Sequence, residues 1–258
     1  MRLTDYHMHP MIAQKPERFD EFAQRAIALG IEEICITDHM PLSISNAADR
    51  IPAGMVRQYC RNVREAVARY EGILSVKLGI EVDYHPDFLD EIEAVLEAGN
   101  FDYVLGSTHM HLFLADQLDG RMTKNDFARR ALENTLSAVR SGYFHTISHF
   151  DMFRWAFTKT ERYQFDQGEY EWEKDRELIE EILDEIAARK ICLEINPHFA
   201  ESQKKIECMY PALPITEMAL ERNIRFRYGS DAHAPKSVGA LLDTLRSHPI
   251  YGKALADR

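Results

Sequence analysis

The strongest constraint on the fold is an alternation that runs the length of the chain. Seven short apolar runs, Leu3–Tyr6, Glu33–Thr37, Val76–Ile80, Tyr103–Gly106, Thr146–Ser148, Ile191–Ile195 and Arg225–Gly229, alternate with longer amphipathic or charged segments. The runs have the length and apolar character of buried strands. Between them Phe19, Phe22, Ala26 and Leu29 recur at helical spacing, as do Leu178, Ile182 and Ile186. The pattern predicts helices over about Pro16–Leu29, Met55–Tyr70, Asp87–Ala98, Lys124–Ser141, Tyr170–Arg189, Ile215–Arg222 and Lys236–Ser247. Gly30, Gly99-Asn100, Gly142 and Asn223 punctuate their ends. Regular β-α alternation implies a parallel sheet. Seven units in 258 residues imply an α/β barrel related to the eight-unit barrel rather than a doubly wound sheet. There is no Gly-rich dinucleotide or phosphate loop, no linker and no repeat, so residues 1–258 read as one domain. Leu112–Met122 and Phe150–Tyr170 are longer connections expected to shape substrate access.

Each run ends in residues able to bind a ligand. They are His7 and His9; Asp38-His39; Glu81, Asp83 and His85; Ser107 and His109, with His111 beyond; His149 and Asp151; Glu194, Asn196 and His198; and Ser230, Asp231 and His233. In a parallel barrel all strand C-termini open on one face, so these groups converge there. If Leu3 to His9 is one strand, His7 and His9 project side by side and Met8 faces away. Taken singly each has an ordinary reading: a hydrogen-bonded histidine, Glu194 as a helix cap, Asp231 as a turn residue. Taken together they do not, because crowded buried imidazoles and carboxylates cost free energy unless paired or metal-bound. Imidazoles with two or three carboxylates and no thiolate suit zinc, manganese or iron, and disfavour calcium or a cysteine-zinc site. Glu81 could bridge two ions with its two oxygens. Two ions roughly 3.5–4 Å apart can share a hydroxide and clamp a phosphate for in-line displacement.

The formal net charge of −11 argues against nucleic acid or anionic membrane as partners. It would also repel an anionic substrate unless bound cations reverse the local field. The four cysteines are widely spaced, and Cys35 and Cys192 lie inside apolar runs, as small core residues do. They form no disulfide framework. No long apolar segment opens the chain and no window is long enough to span a bilayer, so a reducing cytoplasm is the expected location.

The ordered motifs His7-Met8-His9, Thr37-Asp38-His39, Gly79-Ile80-Glu81, Gly106-Ser107-Thr108-His109, Ser148-His149-Phe150-Asp151, Glu194-Ile195-Asn196 and Ser230-Asp231-Ala232-His233 resemble those of the polymerase-and-histidinol-phosphatase (PHP) family. The resemblance runs from Asp5 to about Gly239. It is closest to the histidinol-phosphatase branch, through Glu81-Val82-Asp83-Tyr84-His85-Pro86, Phe101 to Ser107, and Tyr210 to His233. It implies a distorted (β/α)7 TIM-like barrel with two or three divalent metals. One would take His7, His9, Glu81 and Asp231. A second would take Glu81, His109 and His149. A third would take His39 and His233 with a further histidine soon after the first motif. The chain departs there, since no histidine lies between Pro10 and Asp38; the local candidates are Gln14, Lys15 and Glu17, and either Glu17 substitutes or the third site is weak or empty.

The implied reaction is hydrolysis of L-histidinol phosphate by attack of a metal-bridging hydroxide, in histidine biosynthesis. The implied partner is a small phosphorylated metabolite. His233 or His39 would protonate the leaving group. Asp38 and Asp151 would orient imidazoles. Arg154, Arg121 or Lys124 would reach the phosphate, and Ser107, Asn196 and His198 would line the pocket. His85, His111 and His145 are expected at structural or rim positions, and His248 in an exposed tail. Another small phosphate ester as substrate, a non-catalytic accessory module and a homo-oligomer stay open. A related amide hydrolase is disfavoured, because the bridging position holds Glu81 rather than a lysine.

Overall fold

The computed structural model describes residues 2–43, 49–109, 122–158, 165 and 169–256. Its strands form in the predicted order: β1 (Thr4–Asp5), β2 (Glu33–Ile36), β3 (Ser75–Asp83), β4 (Tyr103–Ser107), β5 (Thr146–Ile147), β6 (Cys192–Ile195) and β7 (Phe226–Tyr228). They pair side by side in sequence order, every pair parallel. The ladder between β7 and β1 is replaced by single bonds. Tyr6 N–H donates to the Tyr228 carbonyl at 3.0 Å and His9 N–H to the Ala232 carbonyl at 2.9 Å. Met8 and Ala232 form an isolated parallel bridge. The result is a nearly closed seven-stranded α/β barrel.

The helices are α1 (Phe19–Ala28), α2 (Val56–Arg69), α3 (Leu89–Gly99), α4 (Lys124–Ser141), α5 (Phe153–Ala156), α6 (Arg176–Arg189), α7 (His198–Gln203), α8 (Leu213–Glu221), α9 (Leu242–Ser247) and α10 (Tyr251–Leu255). The apolar stripe of α1 buries Phe19, Phe22, Ala23 and Ala26. That of α6 buries Ile179, Ile182, Leu183 and Ile186. Each fully buried aliphatic side chain contributes about 1.5–3 kcal/mol. Helices α5, α7 and α10, four to six residues long, have too few turns to show a period.

Most strand bounds fall within a residue of the hydropathy reading, and departures at β3 and β1 matter for the site. β3 extends past Ile80, because its ladder with β4 continues from Gly79↔Tyr103 to Asp83↔Ser107. The polar residues Glu81 and Asp83 occupy one face of this extension, where hydropathy stops marking a strand. β1 is shorter than Leu3–His9, yet the alternation continues without a ladder. Met8 is fully buried in the core and His7 and His9 lie together on the other side. The expected helix Lys236–Ser247 is interrupted. A 3-10 turn over Pro235–Ser237 precedes α9, and Gly239 and Leu241 between them have φ of 70° and 55°.

Asp5 closes the seam from the inside. Its carboxylate accepts from Ser230 N–H at 2.8 Å and Gly239 N–H at 3.1 Å. Complete burial pushes its carboxyl up to about 6, against the lowering effect of these bonds. The four cysteines are free thiols, three of them buried. His145 lies at the start of β5, where its Nδ1 accepts from Val104 N–H at 3.1 Å. His85 caps a short turn by accepting from Asp87 N–H at 3.3 Å. His248 is partly buried rather than exposed, as its Nδ1 accepts from Ile250 N–H at 3.3 Å. His111 and Arg121 lie outside the described residues. Among the described residues no helix is long and apolar enough to cross a membrane.

Candidate metal centre

The C-terminal ends of the strands bring one carboxylate to the middle of a ring of imidazoles. Glu81 Oε2 lies 2.6 Å from His39 Nδ1, 3.4 Å from His7 Nε2 and 3.5 Å from His9 Nε2. Its Oε1 lies 2.9 Å from His149 Nε2 and 3.5 Å from His109 Nε2. Asp231 adds a second carboxylate, with Oδ1 3.2 Å from His9 Nε2 and 3.7 Å from His7 Nε2. His233 stands over His9 with ring centroids 4.4 Å apart, and its side chain is 42% exposed at the mouth. Donor atoms close enough to share an ion occur in the groups His7–His9–Glu81, His7–His149–Asp231, His39–Glu81–His109, His9–His39–His233 and His198–Asp231–His233.

The residues fit a metal by a direct observation. His7 Nε2, both ring nitrogens of His9, His39 Nδ1 and Glu81 Oε2 are buried without a hydrogen-bond partner. His39 Nδ1 and Glu81 Oε2 lie 2.6 Å apart without the alignment of a hydrogen bond. A buried polar atom left unsatisfied costs about 1–3 kcal/mol. Cations among these atoms would satisfy them together. Charge points the same way. Burial alone would raise the Glu81 carboxyl, but His39, His7 and His109 pull it well below the usual range. Asp231 is lowered in the same manner, against burial, chiefly by His7 and His198. Burial holds His9 neutral, helped by the neighbouring His39 and His233, and neutral imidazole is the ligating form. His109 rises to about 9, because Asp83 and Glu81 outweigh burial. A cation at its Nε2 would displace that proton.

A second ring of groups fixes the first. Glu194 Oε1 meets His7 Nδ1 at 2.6 Å, while Oε2 accepts from His149 N–H at 2.8 Å and from Asn196 Nδ2 at 3.0 Å. Asn196 also reaches Asp231 Oδ2 at 3.4 Å. Asp83 holds His109 Nδ1 in a short contact and pairs with the buried Arg50. These bonds leave Nε2 of His7 and His109 turned to the centre. Ser107 donates to Glu81 Oε1 and lies 2.6 Å from Ser148 Oγ, so it steadies Glu81 rather than lining the pocket. Gly229 lies where no side chain fits: a Cβ there would fall onto the Glu194 carboxylate and within 2.6 Å of His7 Cβ. Asp231 itself has φ of 54°. That conformation costs roughly 1–2 kcal/mol and presents its carbonyl to Nδ1 of both His198 (3.1 Å) and His233 (3.0 Å).

Several residues expected at the site are placed elsewhere. Asp38 orients no imidazole; its two oxygens accept from Met11 and Ile12 N–H, each at 2.8 Å, and hold the turn after His9. Asp151 pairs with Arg154 at 2.6 Å and accepts from Ala212 N–H at 3.1 Å. Arg154 also donates from Nη1 and Nη2 to the Glu207 and Met209 carbonyls. Its charge is therefore matched by Asp151 within the protein. Glu17 is exposed on a 3-10 turn and joins none of the donor groups. Lys124 opens α4, with no bond to the centre. His198 stands at the rim, its side chain 44% exposed. The orienting roles of Glu194 and Asp83 were hidden by their position: a carboxylate at a strand end has one sequence signature whether it ligates or orients. Arg50 carried no signal, since its loop has no periodicity.

Residues 5–198 match the family model of the PHP domain. The chain belongs to the PHP domain family. Among PHP relatives it is 30% identical over 247 residues to a "Probable histidinol-phosphatase" of Deinococcus radiodurans, covering 92% of this chain and 88% of that protein. It is 24% identical over 243 residues to a histidinol-phosphatase of Lactococcus lactis, covering 92% and 86%. The crystal structure of histidinol phosphate phosphatase from Lactococcus lactis, complexed with zinc, L-histidinol and phosphate, superposes with a TM-score of 0.75. That superposition covers 98% of this chain and 94% of the other at 22% identity, and so speaks for the PHP barrel alone.

Proposed function

We propose that this PHP protein is a metal-dependent phosphomonoesterase that converts L-histidinol phosphate and water to L-histidinol and phosphate. The observation that carries the reading is the set of orphaned donor atoms around Glu81, on a chain matched over 92% of its length by the Deinococcus relative. The donor set suits zinc, manganese or iron. In this reading one ion would be held by His7, His9, Glu81 and Asp231, a second by Glu81, His109 and His149, and a third by His39 and His233. Bound ions supply a nucleophile from water at neutral pH and neutralise the phosphate oxygens.

The chain's own residues do the rest. Glu81 is fixed by Ser107 and carries its charge at the centre. Glu194 and Asp83 set the tautomers of His7 and His109, so that Nε2 faces the ions. His233 stands at the mouth with Nδ1 on the Asp231 carbonyl; when no third ion occupies its Nε2, that nitrogen would carry the proton that the departing alkoxide needs. His198, fixed on the same carbonyl, faces the organic part of the ester. The substrate is a small metabolite handled in the cytoplasm, with no nucleic acid or membrane involved. The test is a panel of phosphomonoesters with zinc, manganese or iron. A kcat/KM for histidinol phosphate at least a hundredfold above sugar phosphates and nucleotides is the expected result. A flat profile would mean a PHP phosphoesterase for another ester, and an inactive, metal-free protein would mean an accessory module.

A further inference from the structure

We infer that the metal centre is braced in two separable halves, and that Arg50 is the positioning residue for one of them. The inference rests on the metal reading above. Seen from outside the ring of donors, the supports divide. Glu194 touches His7, the His149 backbone and, through Asn196, Asp231. None of its bonds goes to His39 or His109. Those two ligands are tied by Arg50, which is 7% exposed.

Arg50 reaches the second half through both its side chain and its backbone. Its guanidinium pairs with Asp83, the carboxylate that holds His109 Nδ1, and donates to the Met40 carbonyl at 3.1 Å. Its backbone forms a parallel bridge with His39, and the next N–H, that of Ile51, donates to the His39 carbonyl at 3.0 Å. Its own carbonyl accepts from Gln14 Nε2 at 2.6 Å, which ties in the turn following His9. One residue thus fixes the positions of His39 and His109 against each other, and these two with Glu81 form a donor group of their own. Asp83 is a buried carboxylate, and the guanidinium balances its charge so that it can stay a hydrogen-bond acceptor for His109. Among the described donor groups, Glu81 belongs both to the one with His7 and His9 and to the one with His39 and His109.

The consequence is that loss of Arg50 weakens the ions held through His39 and His109 and spares the ion held by His7, His9 and Asp231. The test uses the full chain, stripped of metal and titrated with Co²⁺ by visible absorption and with Zn²⁺ against a chromophoric chelator. In Arg50→Gln one binding phase weakens about 10–100-fold, as loss of an outer support does, while the other stays within threefold of the wild type. Arg50→Lys keeps the charge opposite Asp83 but not the planar fork, and gives an intermediate loss in the same phase. Arg50→Gln with Asp83→Asn removes both charges together, and serves if the single variant does not fold; it shows the same one-phase loss. Equal weakening of both phases in a folded variant, or none, overturns the inference. A wild type that binds two ions beside an indistinguishable Arg50→Gln removes this inference alone, whereas a wild type that takes up no metal removes the proposed function as well.

Discussion

Replacing Glu194 with glutamine keeps the shape of the side chain and removes its charge. In the wild type each oxygen has its own donors: Oε1 faces His7 Nδ1 at 2.6 Å, and Oε2 faces His149 N–H at 2.8 Å and Asn196 Nδ2 at 3.0 Å. An amide has one acceptor. Whichever way it turns, its NH2 points at a donor, either the His7 ring or the His149 backbone. The loss is one hydrogen bond to a charged group, about 1.5–3 kcal/mol. At about 1.4 kcal/mol per tenfold this predicts metal binding weaker by roughly 10–150-fold. His7 is then free to present the wrong nitrogen to the ion. Chelator competition on Glu194→Gln measures the affinity directly, and circular dichroism with thermal melting of the metal-free protein checks the fold. A folded Glu194→Gln that binds zinc within threefold of the parent would refute the orienting role.

Three further predictions concern the same face of the barrel. Asp231→Ala should abolish turnover and lower bound metal while the metal-free fold survives; a metal-free yet fully active variant, by elemental analysis and phosphate release, would sink the mechanism. Gly229→Ala should destabilise the protein by about 1–3 kcal/mol through overpacking and should also weaken metal binding, because the new methyl displaces Glu194 from His7; urea melts and chelator competition report the two effects. Asp5 has a folded pKa raised to about 6 from an ordinary value of 3.8, so its contribution to stability is present below 3.8 and lost as pH rises through 6. In the metal-free protein Asp5→Asn should therefore gain on the parent by up to about 3 kcal/mol between pH 4 and 7 in urea melts; a constant difference across that range would show that burial of Asp5 does not cost what is argued.

The barrel was legible because its signal is repeated. Each apolar run has a helix after it, and each run ends in groups able to hold an ion, so seven weak patterns support one another. The side-by-side placement of His7 and His9 follows from a period of two, which survives even where β1 has no ladder. What stayed hidden depends on pairings across the barrel. Glu194 meets His7 and His149 because of where β1, β5 and β6 lie around the ring, and nothing local to Glu194 carries that. Asp38 and Asp151 sit at equivalent strand ends but turn to backbone amides and to Arg154. Hydropathy ended β3 at Ile80 because the remainder of the strand faces the centre, and a polar interior looks like a loop.

The seam between the first and last strands has a topological meaning. A conventional barrel is sealed by a ladder of backbone bonds, whereas here the ends of the chain meet through a few bonds beside His7, His9 and Asp231. An ion held by those three side chains would act as a removable cross-link between the first and last strands. It closes the longest loop the fold contains and lowers the entropy of every opened state. Removal of metal should leave the helices in place while the amides of Tyr6, His9 and Asp231 exchange with solvent much sooner, because the barrel unzips there first.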